Sequence, residues 1–162
     1  MKYARPTIQQ RIGKYLTPFF LFHFRLTRGM SFGVRGAVVD AADRVLLVKH
    51  TYVAGWYLPG GGVEPGESAE EALRRELMEE ANVRLTGRPE LLGLYQNVEA
   101  SRRDHVAFFV VRSFEQTSPR IADREIVAAE FFPRDALPAD ATNATRRRID
   151  ELFGGRIPDG LW

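Results

Sequence analysis

The sequence predicts an α+β layered domain. Three observations carry that reading: several short runs rich in valine and leucine, one helix marked at its start by a capping pair, and a composition sized for a single core. The chain has 162 residues, 44% of them hydrophobic and 27% charged, and strands interleaved with a few helices bury their apolar faces by layering.

The elements follow in order. Ile8, Ile12, Leu16, Phe19 and Phe20 recur near helical spacing and predict one or two short helices around Pro18 over residues 8–28. Gly33 to Val39 and Val45 to Lys49 are apolar runs separated by Asp40-Ala-Ala-Asp-Arg44, which predicts an antiparallel hairpin. Trp56 to Leu58 is a further short strand, ended by Pro59 and the run Gly60-Gly61-Gly62. Ser68 and Glu71 form an S-x-x-E capping box, and Ala69, Ala72, Leu73 and Leu77 make an apolar stripe, so a helix runs from Ser68 to about Ala81. Glu90 to Asn97, His105 to Arg112 and Ile126 to Phe132 have strand composition, and Ala141 to Phe153 predicts a closing helix before Gly154-Gly155.

Composition narrows the classes of function. The chain contains 18 aromatics and 23 glycines plus prolines, which excludes collagen-like repeats and wholesale disorder. With no cysteine, disulfides, thiolate metal sites and cysteine nucleophiles are excluded, and a reducing, cytoplasmic setting fits. The net charge of +2 hides an asymmetry: residues 1–39 hold seven basic side chains and no acid, against 16 basic and 21 acidic in the rest. Residues 1–30 therefore form a basic N-terminal extension to a domain at 31–162. Its apolar run, Tyr15 to Phe24, is shorter than the ~20 residues of a spanning helix and lacks a secretory cleavage site. Basic residues around Phe19 to Phe24 fit weak contact of residues 8–28 with a membrane surface, or packing on a second subunit in a homodimer. The basic residues are too few and too scattered to favour nucleic acid.

The helix from Ser68 carries the chemistry. At ~100° per residue Glu80 lies about 40° from Glu76, and Glu79 about 60° to its other side. Three carboxylates thus share one face. Like charges so spaced cost an isolated helix roughly 0.2–0.5 kcal/mol per pair, and Arg75 neutralises only part of that charge. Hard divalent ions bind carboxylate and carbonyl oxygens and draw phosphates into sites that bare carboxylates would repel. Gly60 and Gly61, just upstream, let the backbone approach a ligand closely.

The stretch Gly61-x5-Glu67-x7-Arg75-Glu76-Leu77-x-Glu79-Glu80-x-Asn82-Val83 resembles the Nudix box, G-x5-E-x7-R-E-U-x-E-E-x-G-U, with U a bulky aliphatic residue. Every fixed position but one agrees across residues 61–83. Gly55-Trp-Tyr-Leu-Pro-Gly60 before it, and Glu125-Ile126 leading to Phe131 through Pro138 after it, are similar in style to Nudix domains. The departure is Asn82 in place of glycine, at a position after the helix where a left-handed backbone is expected and asparagine is tolerated.

The resemblance implies a Nudix α/β/α sandwich with a mixed sheet that uses Mg²⁺ or Mn²⁺ to hydrolyse a pyrophosphate bond in a nucleoside diphosphate linked to another moiety, such as a nucleoside triphosphate or nucleotide sugar. Carried over, Glu76, Glu79 and Glu80 are metal ligands with the Gly60 carbonyl, and one of the glutamates orients or deprotonates the water. Arg75 orients a box carboxylate by pairing with Glu67. Some relatives draw their base from a later loop, for which Glu125 is the candidate here, ahead of Glu99 and Asp104. Trp56, Tyr95, Arg102 and Arg103 are candidate contacts to the nucleotide. The contrasting reading is a Nudix-like module that binds a nucleotide without cleaving it, against which the intact set of glutamates argues.

Overall fold

The computed structural model describes residues 29–162. The expected helices and membrane contact of residues 8–28 lie outside them.

Among the described residues, seven strands and two helices follow one another. They are β1 (Ser31–Val38), β2 (Arg44–His50), α1 (Ala69–Ala81), β3 (Arg84–Leu85), β4 (Glu90–Gln96), β5 (Asp104–Val111), β6 (Phe114–Glu115), β7 (Ile126–Pro133) and α2 (Asn143–Leu152). β5 is the centre of a mixed sheet, parallel to β1 on one edge and antiparallel to β4 on the other. β2 pairs antiparallel with β7, and β3 with β6.

The expected hairpin of the first two strands is corrected. They meet in a single bridge, Val39 to Val45, and then part into different sheets. Both strands are buried on two faces, so their continuous apolar runs carry no label for the partner each one takes. The short strand at Trp56–Leu58 is reduced to isolated bridges, Val48 to Tyr57 and Trp56 to Ala141.

Side chains alternate along the strands between two cores. Val34 and Val38, Leu46 and Val48, and Ala107, Phe109 and Val111 pack with Ala72, Leu73, Leu77 and Ala81 of α1. Ala37, Val45, Leu47, Phe108 and Val110 face the other way, onto Ile149 of α2 with Trp56 and Tyr95. Helices therefore cover both faces of the strands, the α/β/α layering expected. Among the described residues no helix is long and apolar enough to cross a membrane.

α1 begins where the capping box placed it. The Ser68 hydroxyl accepts the Glu71 N–H, and the Glu71 carboxylate accepts the Ser68 N–H at 2.8 Å. It ends at Asn82, whose φ of 53° and ψ of 39° are left-handed.

The glycine run is held as firmly as a strand. Gly36 N–H donates to the Pro59 carbonyl at 2.9 Å, Val34 N–H to Gly61 at 2.8 Å, and Val63 N–H to Phe32 at 2.9 Å, so residues 59–63 lie antiparallel along the free edge of β1. This brings the glycines against the C-terminal half of α1.

Candidate active site

Residues one helical turn apart share a face. Glu76, Glu79 and Glu80 consequently line a cleft of about 520 Å³ together with Gly60, Gly61 and Glu125. Glu79 is largely exposed, whereas the side chains of Glu76 and Glu80 are only 14% and 12% accessible.

Arg75 is spread over its neighbours. Its Nε and Nη2 grip both oxygens of Glu67 at 3.0 and 3.1 Å, Nη1 donates to Glu76 at 2.7 Å and Glu79 at 3.4 Å, and Nη2 also reaches the Gly62 carbonyl at 3.0 Å. These bonds hold the Glu67 carboxyl below the usual carboxylate range. The planar fork of arginine suits such a task, since each N–H has a fixed direction.

Glu80 has no such cation bonded to it. Burial pushes its carboxyl up to about 7; Glu76 and Glu79 add to the rise, while the Gly60 N–H, donating at 2.8 Å, and the charge of Arg35 oppose it. His50 stands 3.5 Å from the other Glu80 oxygen. Burial first, then Arg35, lowers the pKa of that imidazole, with Glu125 acting against them.

Gly60 is sterically obligatory, while a side chain at Gly61 would displace a carboxylate rather than the backbone. Gly60 has φ +140°, and a Cβ there would stand 2.1 Å from the Val34 carbonyl oxygen; a Cβ on Gly61 would lie 2.3 Å from a Glu76 oxygen. Of the carbonyls in this run, those of Pro59, Gly61 and Gly62 accept hydrogen bonds. That of Gly60 accepts none among the described residues.

Those donors fit a hard divalent ion. Carboxylates and a backbone carbonyl supply oxygen alone, and the Gly60 carbonyl accepts no hydrogen bond among the described residues. Among the described residues no three His, Asp or Glu side chains close round one point; Glu76 leans on Arg75 and Glu80 on the Gly60 N–H instead.

Other sequence candidates fall elsewhere. Trp56 is 8% accessible and packs edge-on against Phe132 at 4.9 Å. Tyr95 is buried, its hydroxyl donating to Glu151 at 2.8 Å. Arg102 and Arg103 occupy the exposed turn between β4 and β5, where their backbone carbonyls accept the bonds. None of the four lines the acidic cleft, because the aromatics were drawn into the core and the arginines lie at another loop. Asp104 bonds the Ser31 hydroxyl at 2.7 Å, and Glu99 borders a second cleft of about 590 Å³.

Sequence reasoning missed Arg35, His50, Tyr52 and Arg120, all of which line the acidic cleft. No local pattern marks them. Arg35 joins the site only because residues 59–63 pair with β1, and it also lines the second cleft with Tyr57, Asn143 and Trp162.

A family model described as NUDIX domain matches residues 30–153. The chain belongs to the Nudix family. It is a Nudix hydrolase of the kind that splits phosphoanhydrides, a family whose members generally use divalent metal ions. It is 42% identical over 121 residues to a putative 8-oxo-dGTP diphosphatase of Bacillus subtilis, a match covering 73% of this chain and 76% of that protein. It is 36% identical to the human 8-oxo-dGDP phosphatase NUDT18 over 70% of this chain, which spans only 36% of the human protein. Its fold is similar to the crystal structure of a MutT NUDIX hydrolase from Burkholderia pseudomallei, with a TM-score of 0.65 and 28% identity over 75% of this chain and 97% of that one.

Proposed function

We propose that this Nudix hydrolase cleaves a pyrophosphate bond in a nucleoside diphosphate derivative at the acidic cleft, with a nucleoside triphosphate as the leading substrate class. The single observation that carries the reading is the juxtaposition of the buried Glu80 carboxylate with the glycine run at Gly60. Glu76, Glu79, Glu80 and the Gly60 carbonyl would hold Mg²⁺ or Mn²⁺, which when bound neutralises the phosphate oxygens and polarises the phosphorus toward attack.

The chain's own groups do the rest. Arg75 fixes the rotamer of Glu76, so the carboxylate meets the substrate already oriented. Glu125, on the loop opposite α1, or Glu79 accepts the proton of the attacking water. Arg35 lines both clefts, so with phosphates at the acidic wall the nucleoside would lie in the second cleft, by Tyr57, Asn143 and Trp162. The names of the relatives from Bacillus subtilis and human support a purine nucleotide there.

The test is a substrate panel with Mg²⁺ or Mn²⁺: the common nucleoside triphosphates, 8-oxo-dGTP, 8-oxo-dGDP, ADP-ribose and nucleotide sugars, with products identified. Hydrolysis should appear in the nucleoside triphosphate group. In Glu80→Gln it should fall by roughly 100-fold or more, the rate equivalent of a few kcal/mol of lost cation stabilisation. No product from any substrate, or full turnover in the variant, would contradict the reading.

A further inference from the structure

α1 is finished by groups from outside itself. Its last turn carries no basic side chain, and carbonyls orphaned at a helix C-terminus need donors. Arg120 supplies its Nε to the Glu79 carbonyl and Gln116 its Nε2 to the Ala81 carbonyl, each at 2.8 Å. Asn82 adds a third link, donating Nδ2 to both the carbonyl and the hydroxyl oxygen of Ser118 at 2.9 Å. The glycine that the Nudix box has at this position would turn the chain equally well, yet it has no amide to offer.

The segment fastened in this way leads to Glu125. Arg120 also pairs with Asp123, and one oxygen of Asp123 accepts the N–H groups of Glu125 and Ile126 at 2.8 and 2.9 Å. From the other side, Thr51 donates its N–H to the Glu125 carbonyl at 2.9 Å and its hydroxyl to that of Arg124 at 2.7 Å. A continuous chain of hydrogen bonds thus runs from the helix bearing Glu76, Glu79 and Glu80 to the backbone of Glu125. The Glu125 carboxylate itself makes no hydrogen bond among the described residues, although it lines the cleft.

We propose that Asn82 and Arg120 are positioning residues, which fasten the 116–125 segment to the end of α1 and so set the placement of Glu125 against the α1 carboxylates during hydrolysis. The inference rests on the hydrolytic reading above. It explains why an asparagine stands at a backbone position that suits glycine: the side chain contributes a tether.

Asn82→Gly separates the tether from the fold, because glycine takes the left-handed turn with less strain. Hydrogen exchange, Mn²⁺ calorimetry and steady-state kinetics would be compared for wild type, Asn82→Gly, Glu125→Gln and the double variant, with Arg120→Lys as a second probe of the same link. Asn82→Gly should speed amide exchange across residues 117–125, leave Mn²⁺ affinity unchanged, and lower kcat by roughly tenfold with little change in KM. Added to Glu125→Gln, it should cost nothing further, since both act through one group. Unchanged exchange in both tether variants overturns the link, and losses that simply add overturn its action through Glu125. Full turnover in Glu125→Gln beside a loss in Glu80→Gln leaves hydrolysis standing and overturns this inference alone. A wild-type chain inert toward every substrate removes both.

Discussion

Glu80 accepts the N–H of Gly60 at 2.8 Å, across 20 residues of chain, and this contact joins the acidic helix to the glycine run. It seats one carboxylate deep in the cleft wall, where water reaches it poorly and two further glutamates stand nearby.

Stability without metal should therefore depend on pH through Glu80. Its carboxyl titrates near 4.5 in the unfolded chain and near 7 in the fold. The fold keeps a proton that the unfolded chain releases, so stability falls as pH rises from about 4.5 through about 7. The loss is on the order of 3 kcal/mol. Urea denaturation in chelator at pH 5 and pH 8 should show this fall in wild type, a smaller fall in Glu80→Gln, and its reversal by excess Mg²⁺ or Mn²⁺. Parallel profiles for the two proteins would refute the assignment.

Neighbouring glycines should respond in opposite ways. A methyl at Gly61 would strike the Glu76 carboxylate, whereas nothing lies within 4 Å of one at Gly62. Gly61→Ala should cost roughly 100-fold in turnover by displacing that carboxylate, with a near-normal melting temperature. Gly62→Ala should keep wild-type turnover. Equal activities would show that the contact does not matter.

Arg75→Lys tests the fork. Lysine keeps the charge but cannot hold both Glu67 oxygens and Glu76 together. Calorimetry should record Mn²⁺ affinity lower by roughly 10- to 100-fold, the usual effect of losing a group that orients a ligand. The melting temperature should barely move, because partly exposed ion pairs add little stability. A large drop in melting temperature with unchanged affinity would assign Arg75 to the fold instead.

The second core holds a buried pair of another kind. Arg148, fully buried, donates to Glu151 at 2.7 Å and to the Leu161 carbonyl at 2.9 Å, and its guanidinium lies 3.9 Å from the centre of the Tyr95 ring. Arg148→Met strands the buried Glu151 and should destabilise by about 3–5 kcal/mol, while Arg148→Met with Glu151→Leu should recover most of that. Denaturation curves that coincide for the single and double variants would show that the isolated charge is not the cost.

What the sequence disclosed depended on how local each signal was. The start of α1 was visible because Ser68 and Glu71 act within one turn, and the left-handed Asn82 because backbone preference belongs to a single residue. The α1 carboxylates were visible as candidates by helical spacing, and Gly60 as a candidate that the resemblance to the Nudix box implied. The pairing of β1 with β5 was hidden, since a parallel partner 73 residues away leaves no mark on a run of valines. Arg35 and His50 were hidden for the same reason: each reaches the cleft only through tertiary pairing. Tyr95 and Trp56 misled because an aromatic side chain serves a core and a ligand equally well, and here burial prevailed.

The lacing of residues 59–63 onto β1 makes the site intolerant of changes in length, beyond the identity that Gly60 and Gly61 already require. Backbone atoms do the stitching, so drift among most side chains along that edge leaves the Gly60 carbonyl where it is. Deleting or inserting one residue between Leu58 and Val63 would slip the ladder by a step and turn that oxygen to the opposite side. Indels in this stretch should be silent in expression trials only where they are also silent in chemistry, that is, nowhere between the two ends of the seam.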